Sequence, residues 1–189
     1  MITGIIMASG FSRRMINKNK LTIKINGTTV IENVIEAAKN SKLDDILLIY
    51  RTDEIRQIGM KYNLKTVFNA NAILGQSESV KLGVKNSEPY SNYMFFVADQ
   101  PYLETRVINK LIENFKSNEK IIIPYFGDNF GMPLIFPNSL RGDLLKTQGD
   151  KGGREIIRDN PNLVEKIYFE DTKIGMDIDS PEDLIKGGF

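Results

Sequence analysis

The sequence predicts an α/β fold in three layers (αβα), a mostly parallel sheet with helices on both faces. Three observations point there. Apolar runs alternate with stretches of helical periodicity through the first two-thirds of the chain. At least one run, "YMFFVA" at 93–98, is too apolar for anything but a central strand buried on both faces. The 189 residues, 41% hydrophobic and 26% charged, are about one domain's worth, with apolar mass for one core. Residues 1–189 are therefore expected to form a single domain. No linker, repeat or low-complexity segment interrupts them.

Taken in order, residues 3–8 read as a short buried strand. Val30, Ile31, Val34, Ile35 and Ala38 share one helical face and predict a helix over 29–40. "DDILLIY", 44–50, is a second buried strand, and 53–62 a helix opened by Thr52 or Asp53 as cap. "LKTVFN", 64–69, is a third strand, and "GQSESVKLGVKNS", 75–87, a loop entering a helix. After the strand at 93–98, the apolar face Val107, Ile108, Leu111, Ile112 and Phe115 marks a helix near 104–117. "KIIIP" and "MPLIF" are two further strands around a turn containing Gly127-Asp128-Asn129. A helix is expected after Gly152-Gly153, then a strand, "LVEKIYF". A short final helix follows, with Ser180 as cap and Pro181 at its first position.

Composition removes several kinds of chemistry. With no Cys and no His, the chain cannot use disulfides, cysteine-ligated zinc, a cysteine nucleophile, a Ser-His-Asp triad or a histidine base. Carboxylates, Lys, Arg, hydroxyls and backbone are left, a set suited to hard metal ions and phosphate. The 25 basic and 24 acidic residues leave a net charge of +1, so nothing global draws the chain to nucleic acid or an anionic membrane. The first residues lack the pattern of a signal peptide and no apolar run reaches the length of a membrane span. A cytoplasmic location is the expectation.

In open α/β sheets ligands bind beyond the carboxyl ends of the strands. Three segments qualify: Ala8–Arg14, Asn69–Ser79 and Asp99-Gln100-Pro101. In the first, the small residues Ala8, Ser9 and Gly10 let backbone approach a ligand, with N–H groups free for oxyanions. Arg13 and Arg14 are suited to bidentate phosphate contacts, and Lys20 can add a point charge. A turn with solvated charges is the alternative. The loop is neither a Walker loop nor a G-x-G-x-x-G fingerprint. Gly10 is the position where a side chain should interfere, by strain if its φ is positive and by bulk in the ligand's path.

Asp99 ends the most apolar strand and faces a desolvation cost unless paired, which a divalent cation with phosphate oxygens would do. Capping of the next helix is the alternative. Asp177 and Asp179 alternate on an expected strand and share one face, where a cation would relieve their repulsion, unless one is a surface or capping residue, as Asp183 is. Ser77 and Ser79 open a helix whose N-terminus can receive an anion or a base edge; simple N-capping is the alternative.

These residues together resemble the nucleotidyltransferases that build the dinucleotide form of the molybdenum cofactor, the MobA-like NTP transferases, and among them molybdenum cofactor cytidylyltransferase. The family opening L-A-A-G-x-S-x-R-M-G-x-x-K is similar to Met7-Ala8-Ser9-Gly10-Phe11-Ser12-Arg13-Arg14-Met15, followed by Lys20. A segment like G-M-S-x-S-L-x-x-G reads Gly75 to Gly83, and D-Q-P reads Asp99-Gln100-Pro101. A late G-D-x-G-x-R reads Gly149 to Arg154 with a shifted Gly or an extra residue, and D-x-D-T-P-E-D reads Asp177 to Asp183. The chain departs at Ile16, where the family has Gly, at Gln76, where it often has Met, and at Gly131-Met132-Pro133, which lacks a histidine where the family would hold the pterin substrate.

The resemblance implies a Rossmann-like GT-A nucleotidyltransferase fold, CTP as donor, and Mg²⁺ or Mn²⁺ as cofactor. It implies attack by the terminal phosphate of molybdopterin on the α-phosphorus of CTP, with release of pyrophosphate. Arg14, Lys20 and Asp99 would then be catalytic. The nucleotide would be bound by Ala8, Ser9, Gly10, Phe11, Ser12, Arg13, Arg14, Lys20, Asn69, Gly75, Ser77, Ser79 and Asp99. Asp99, Asp177 and Asp179 would hold the metal. Ser9, where the guanylyl relatives tend to carry Gly, and Gln100 lean toward cytosine. Two alternatives stay open. One is a cytidylyl- or guanylyltransferase acting on a sugar or polyol phosphate. The other is a non-catalytic carrier of molybdenum cofactor for a hydroxylase, against which the retained acidic positions argue. A molybdenum hydroxylase is a possible partner; nucleic acid and membrane are not expected.

Overall fold

A computed structural model describes residues 1–11, 19–178 and 183. Strand β1 (Ile2–Ala8) is followed by a 3-10 turn over Lys20–Thr22 and a small hairpin, β2 (Lys24–Ile25) and β3 (Thr28–Thr29). Then come α1 (Val30–Lys39), β4 (Asp45–Tyr50), α2 (Asp53–Lys61), β5 (Lys65–Phe68), α3 (Gln76–Asn86), β6 (Asn92–Val97) and α4 (Thr105–Asn118). The remainder is β7 (Ile121–Phe126), β8 (Asn129–Phe130), β9 (Leu134–Phe136), α5 (Arg141–Lys146), α6 (Arg154–Asp159) and β10 (Val164–Phe169).

The main sheet runs β10-β7-β9-β6-β1-β4-β5, with β8 paired to β7. The pairs β1–β4, β1–β6, β4–β5 and β7–β10 are parallel; β9 lies antiparallel between β6 and β7. Two apolar clusters cover its faces. Val30, Ile31, Val34 and Ile35 of α1, Ile55 of α2 and Val107, Ile108, Leu111 and Ile112 of α4 pack on one side with Phe96. Val80 and Val84 of α3, Leu144 of α5 and Ile156 of α6 pack on the other with Ile5 and Phe95. These are the three layers that the alternating pattern predicts. Adjacent strand residues point to opposite faces, so consecutive Phe95 and Phe96 anchor different clusters.

Two features position the site. The parallel register pairs Met7 with Val97 and Ala8 with Tyr50, and Tyr50 with Phe68, so the carboxyl ends of β1, β4, β5 and β6 meet along one edge. Gly83 lets α3 lie against β1: a Cβ there would fall 2.5 Å from Ile5 Cγ2. The start of α3 is thereby brought to that edge.

The structure corrects the strand expected at Asp177; Asp179 lies outside the described residues. Residues 176–178 join no ladder; the hydrogen bond from Ile178 N–H to Asp99 O at 2.9 Å ties them to the end of β6. Ile178 is buried in the first cluster. The final helix, apart from Asp183, lies outside the described residues.

Candidate active site

At the carboxyl edge, Ser9, just past β1, Asn69, just past β5, and Ser79, in the first turn of α3, form a buried polar knot. The Ser9 and Ser79 hydroxyls are 2.7 Å apart, and Asn69 Nδ2 donates to them at 3.0 and 3.2 Å. Asn69 N–H donates to Tyr50 O at 2.8 Å, and its Oδ1 accepts from Asn71 N–H at 3.1 Å. Satisfied buried polar groups of this kind fix one arrangement of the elements that carry them. Ser79 thus cross-links the strand ends and does not cap α3, which begins after Gly75 with no side-chain cap.

Above the knot lies a cavity of about 570 Å³. Its wall includes Ala8, Ser9, Gly10, Phe11, Lys20, Gly75, Ser79 and Asp99 from the expected nucleotide-binding set. Asn69 and Ser77 are buried and are not part of that wall; the Ser77 hydroxyl has no hydrogen-bond partner among the described residues. Ser12, Arg13, Arg14 and Asp179 lie outside the described residues. Asp177 lines a neighbouring cavity of about 160 Å³ with Phe95, Phe130, Met132, Phe136 and Arg154, and not the cavity that holds Asp99. Met7, Gln76 and Val97 line both, so the two spaces share a wall.

Gly10 corrects the expectation of strain. Its φ is not in the left-handed region and a Cβ there would meet nothing within 4 Å. The constrained glycine is Gly75, with φ of 109°, where a Cβ would fall 2.4 Å from Gly149 C.

The charges of the large cavity are arranged around Asp99. Lys20 Nζ donates to Asp99 Oδ2 at 2.6 Å, with the two side chains only 14% and 19% exposed. Lys20 is delivered by the short 3-10 turn, which Asn19 caps by accepting from Leu21 N–H and which buried Leu21 anchors. Asp99 Oδ1 is buried without a hydrogen-bond partner among the described residues. A buried carboxylate oxygen left without a donor is costly unless something positive reaches it. Mg²⁺ and Mn²⁺ are hard cations, and Mg²⁺ is typically held by one or two carboxylates plus substrate phosphates, so this single oxygen fits such an ion arriving with a nucleotide. Among the described residues no group of three or more Asp or Glu could hold a metal by itself.

Sequence reasoning missed two contributors. Asp150 lines the cavity and accepts from Gln76 N–H, the first of α3, at 3.2 Å. Gly149-Asp150 opens the late G-D-x-G-x-R-like segment of the sequence, but nothing local says that it lands on α3. Arg51, just after β4, lays its guanidinium over the Phe11 ring at 4.3 Å. That cation–π contact holds the described end of the first loop.

A sheet-edge cavity with a lysine, a buried strand-end carboxylate and a wall of small residues is the build of a GT-A-like nucleotidyltransferase. The chain belongs to the MobA-like NTP transferase domain family, which residues 4–165 match. It is 22% identical over 195 residues to nicotine blue oxidoreductase of Paenarthrobacter nicotinovorans, covering 98% of this chain and 95% of that one. It is 28% identical over 198 residues to a probable molybdenum cofactor guanylyltransferase of Clostridium perfringens, covering 96% and 94%. Among solved structures, it superposes with TM-score 0.83 and 20% identity on Rv0371c of Mycobacterium tuberculosis in complex with manganese, covering 98% and 97%.

Proposed function

We propose that the protein transfers CMP from CTP to the terminal phosphate of a molybdopterin-type acceptor, giving the cytosine dinucleotide cofactor and pyrophosphate. The observation that carries this reading is the Lys20–Asp99 pair, with Asp99 Oδ1 unpartnered among the described residues, inside a cavity walled by the small residues that follow β1. An acceptor phosphate oxygen attacks the α-phosphorus, the bond to the β-phosphate bridging oxygen breaks, and pyrophosphate leaves with the electron pair. No protein nucleophile is needed, so the demands are positioning and charge neutralisation.

Lys20 neutralises the triphosphate, with Arg13 and Arg14 adding charge from the rest of the loop. Asp99, with Asp179 or Asp177, would hold Mg²⁺ or Mn²⁺. When bound, such an ion neutralises phosphate oxygens as a Lewis acid. Manganese in the Rv0371c complex supports a divalent cation in this fold. The buried side chain of Ser9, pinned by Ser79 and Asn69, occupies space beside the cavity and supports the smaller pyrimidine base. The neighbouring cavity, rimmed by aromatic residues and Arg154, suits the acceptor. A guanylyl donor is the second reading, favoured by the Clostridium perfringens relative.

The test is pyrophosphate release from each of the four nucleoside triphosphates, with Mg²⁺, with and without molybdopterin. Release with CTP that depends on molybdopterin is expected. Release that depends instead on a sugar or polyol phosphate, or none with any nucleotide, would overturn the reading.

A further inference from the structure

The start of α3 is the natural anion site of the cavity wall, because the first N–H groups of a helix lack intrahelical partners and the helix dipole adds positive potential. In this chain that site is filled from within. Asp150 Oδ1 accepts from Gln76 N–H at 3.2 Å, placing a carboxylate at the helix end. The contact is built in: Gly75, at φ of 109°, has no room for a Cβ because Gly149 C, Gly149 O and Asp150 Oδ1 would lie 2.4, 2.6 and 2.8 Å from it. A phosphate would meet like charge here and is drawn instead toward Lys20, which lines the same cavity.

Asp150 is also exposed and lines the cavity, and a carboxylate has about four acceptor sites, of which Gln76 N–H uses one. The α3 side of the cavity therefore presents acceptors to whatever part of the nucleotide is not phosphate. We propose that Asp150 is a specificity-determining residue that reads the base of the donor nucleotide, selecting an amino-bearing base: cytosine over uracil. This rests on the donor reading above. The cytosine C4 amino group donates to a carboxylate. The uracil C4 carbonyl repels one, and the uracil N3–H is flanked by carbonyls on both sides.

The experiment is calorimetric titration of CTP and of UTP, with Mg²⁺, into the wild type and Asp150→Asn. Asparagine keeps an oxygen for Gln76 N–H, so the helix end stays satisfied, and adds an NH₂ that can donate to uracil O4. The wild type should bind CTP roughly tenfold more tightly than UTP, the scale of one charge-assisted hydrogen bond at an exposed site. In Asp150→Asn the preference should vanish or reverse. A merely structural role for Asp150 would weaken both nucleotides alike and leave their ratio unchanged. A wild type that does not discriminate, or a variant with the wild-type ratio, overturns the assignment. If GTP binds and CTP does not, the cytidyl donor is wrong instead. The same criterion then applies to GTP against ITP, which lacks the amino group.

Discussion

Lys20 and Asp99 hold each other at 2.6 Å, and under the proposed reaction each has a second claimant, the triphosphate for one and the metal for the other. Replacing either should leave the fold in place, because the pair sits at the sheet edge and not in an apolar cluster. Asp99→Asn should retain its thermal midpoint within a few degrees and lose pyrophosphate release by two orders of magnitude or more, roughly the cost of removing one electrostatic stabiliser. Near-normal turnover with Mg²⁺ would end the metal assignment. Lys20→Met should weaken CTP binding by about 1.5–3 kcal/mol, the range for a hydrogen bond to a charged group. Calorimetry decides it, and unchanged affinity would remove Lys20 from the triphosphate site. Asp99 is legible in sequence because a charge at the end of "YMFFVA" demands a partner. Asp150 is not, because its meaning depends on Gln76, 74 residues away.

At the scale of elements, α1 shows local rules at work. Thr29 and Glu32 form a capping box, in which Glu32 N–H donates to Thr29 Oγ1 and Thr29 N–H to Glu32 Oε2. Lys61 of α2 reaches Glu32 Oε1 at 2.6 Å. Burial works to raise the Glu32 carboxyl, but the hydrogen bonds from Lys61 and Thr29 outweigh it and lower it from 4.5 to about 2. The ionised form is favoured by folding, so the stabilisation is fully present above about pH 4.5 and fades as pH falls toward 2. Glu32→Gln keeps the cap and loses the charge. It should cost roughly 1 kcal/mol at pH 7, and denaturant midpoints of variant and wild type should converge near pH 2. A constant difference across that range would count against the ion pair. Helices expected at 29–40, 53–62 and 104–117 appear as Val30–Lys39, Asp53–Lys61 and Thr105–Asn118, since an apolar face is a property of the segment itself. The β2–β3 hairpin went unread although Asn26-Gly27, at φ of 52° and 87°, is a hairpin-turn signal; two-residue strands leave no alternation around it. α5 is too short to show a period.

For the whole molecule, stability rests on the two clusters that sandwich one sheet, and central β6 serves both. Phe96, 1% exposed, should cost about 3–5 kcal/mol on truncation to Ala, whereas Tyr90, 88% exposed, should change stability by no more than about 0.5 kcal/mol. Urea midpoints of the two variants make the comparison, and equal losses would contradict the sandwich. The sequence by itself determined the layered α/β architecture, the strand ends at which the candidate site residues gather, the family, and a chemistry confined to carboxylates, amines, guanidiniums and hydroxyls. Each of these follows from residue type and short-range period, which burial imposes locally. Only the tertiary structure decided that β9 slips in antiparallel between β6 and β7, that Lys20 meets Asp99 across 79 residues, that Ser9, Asn69 and Ser79 lock three elements together, and that Asp150 closes the end of α3. These contacts join segments whose separate patterns carry no trace of one another, and they form because packing both faces of the sheet sets the relative positions of its strand ends.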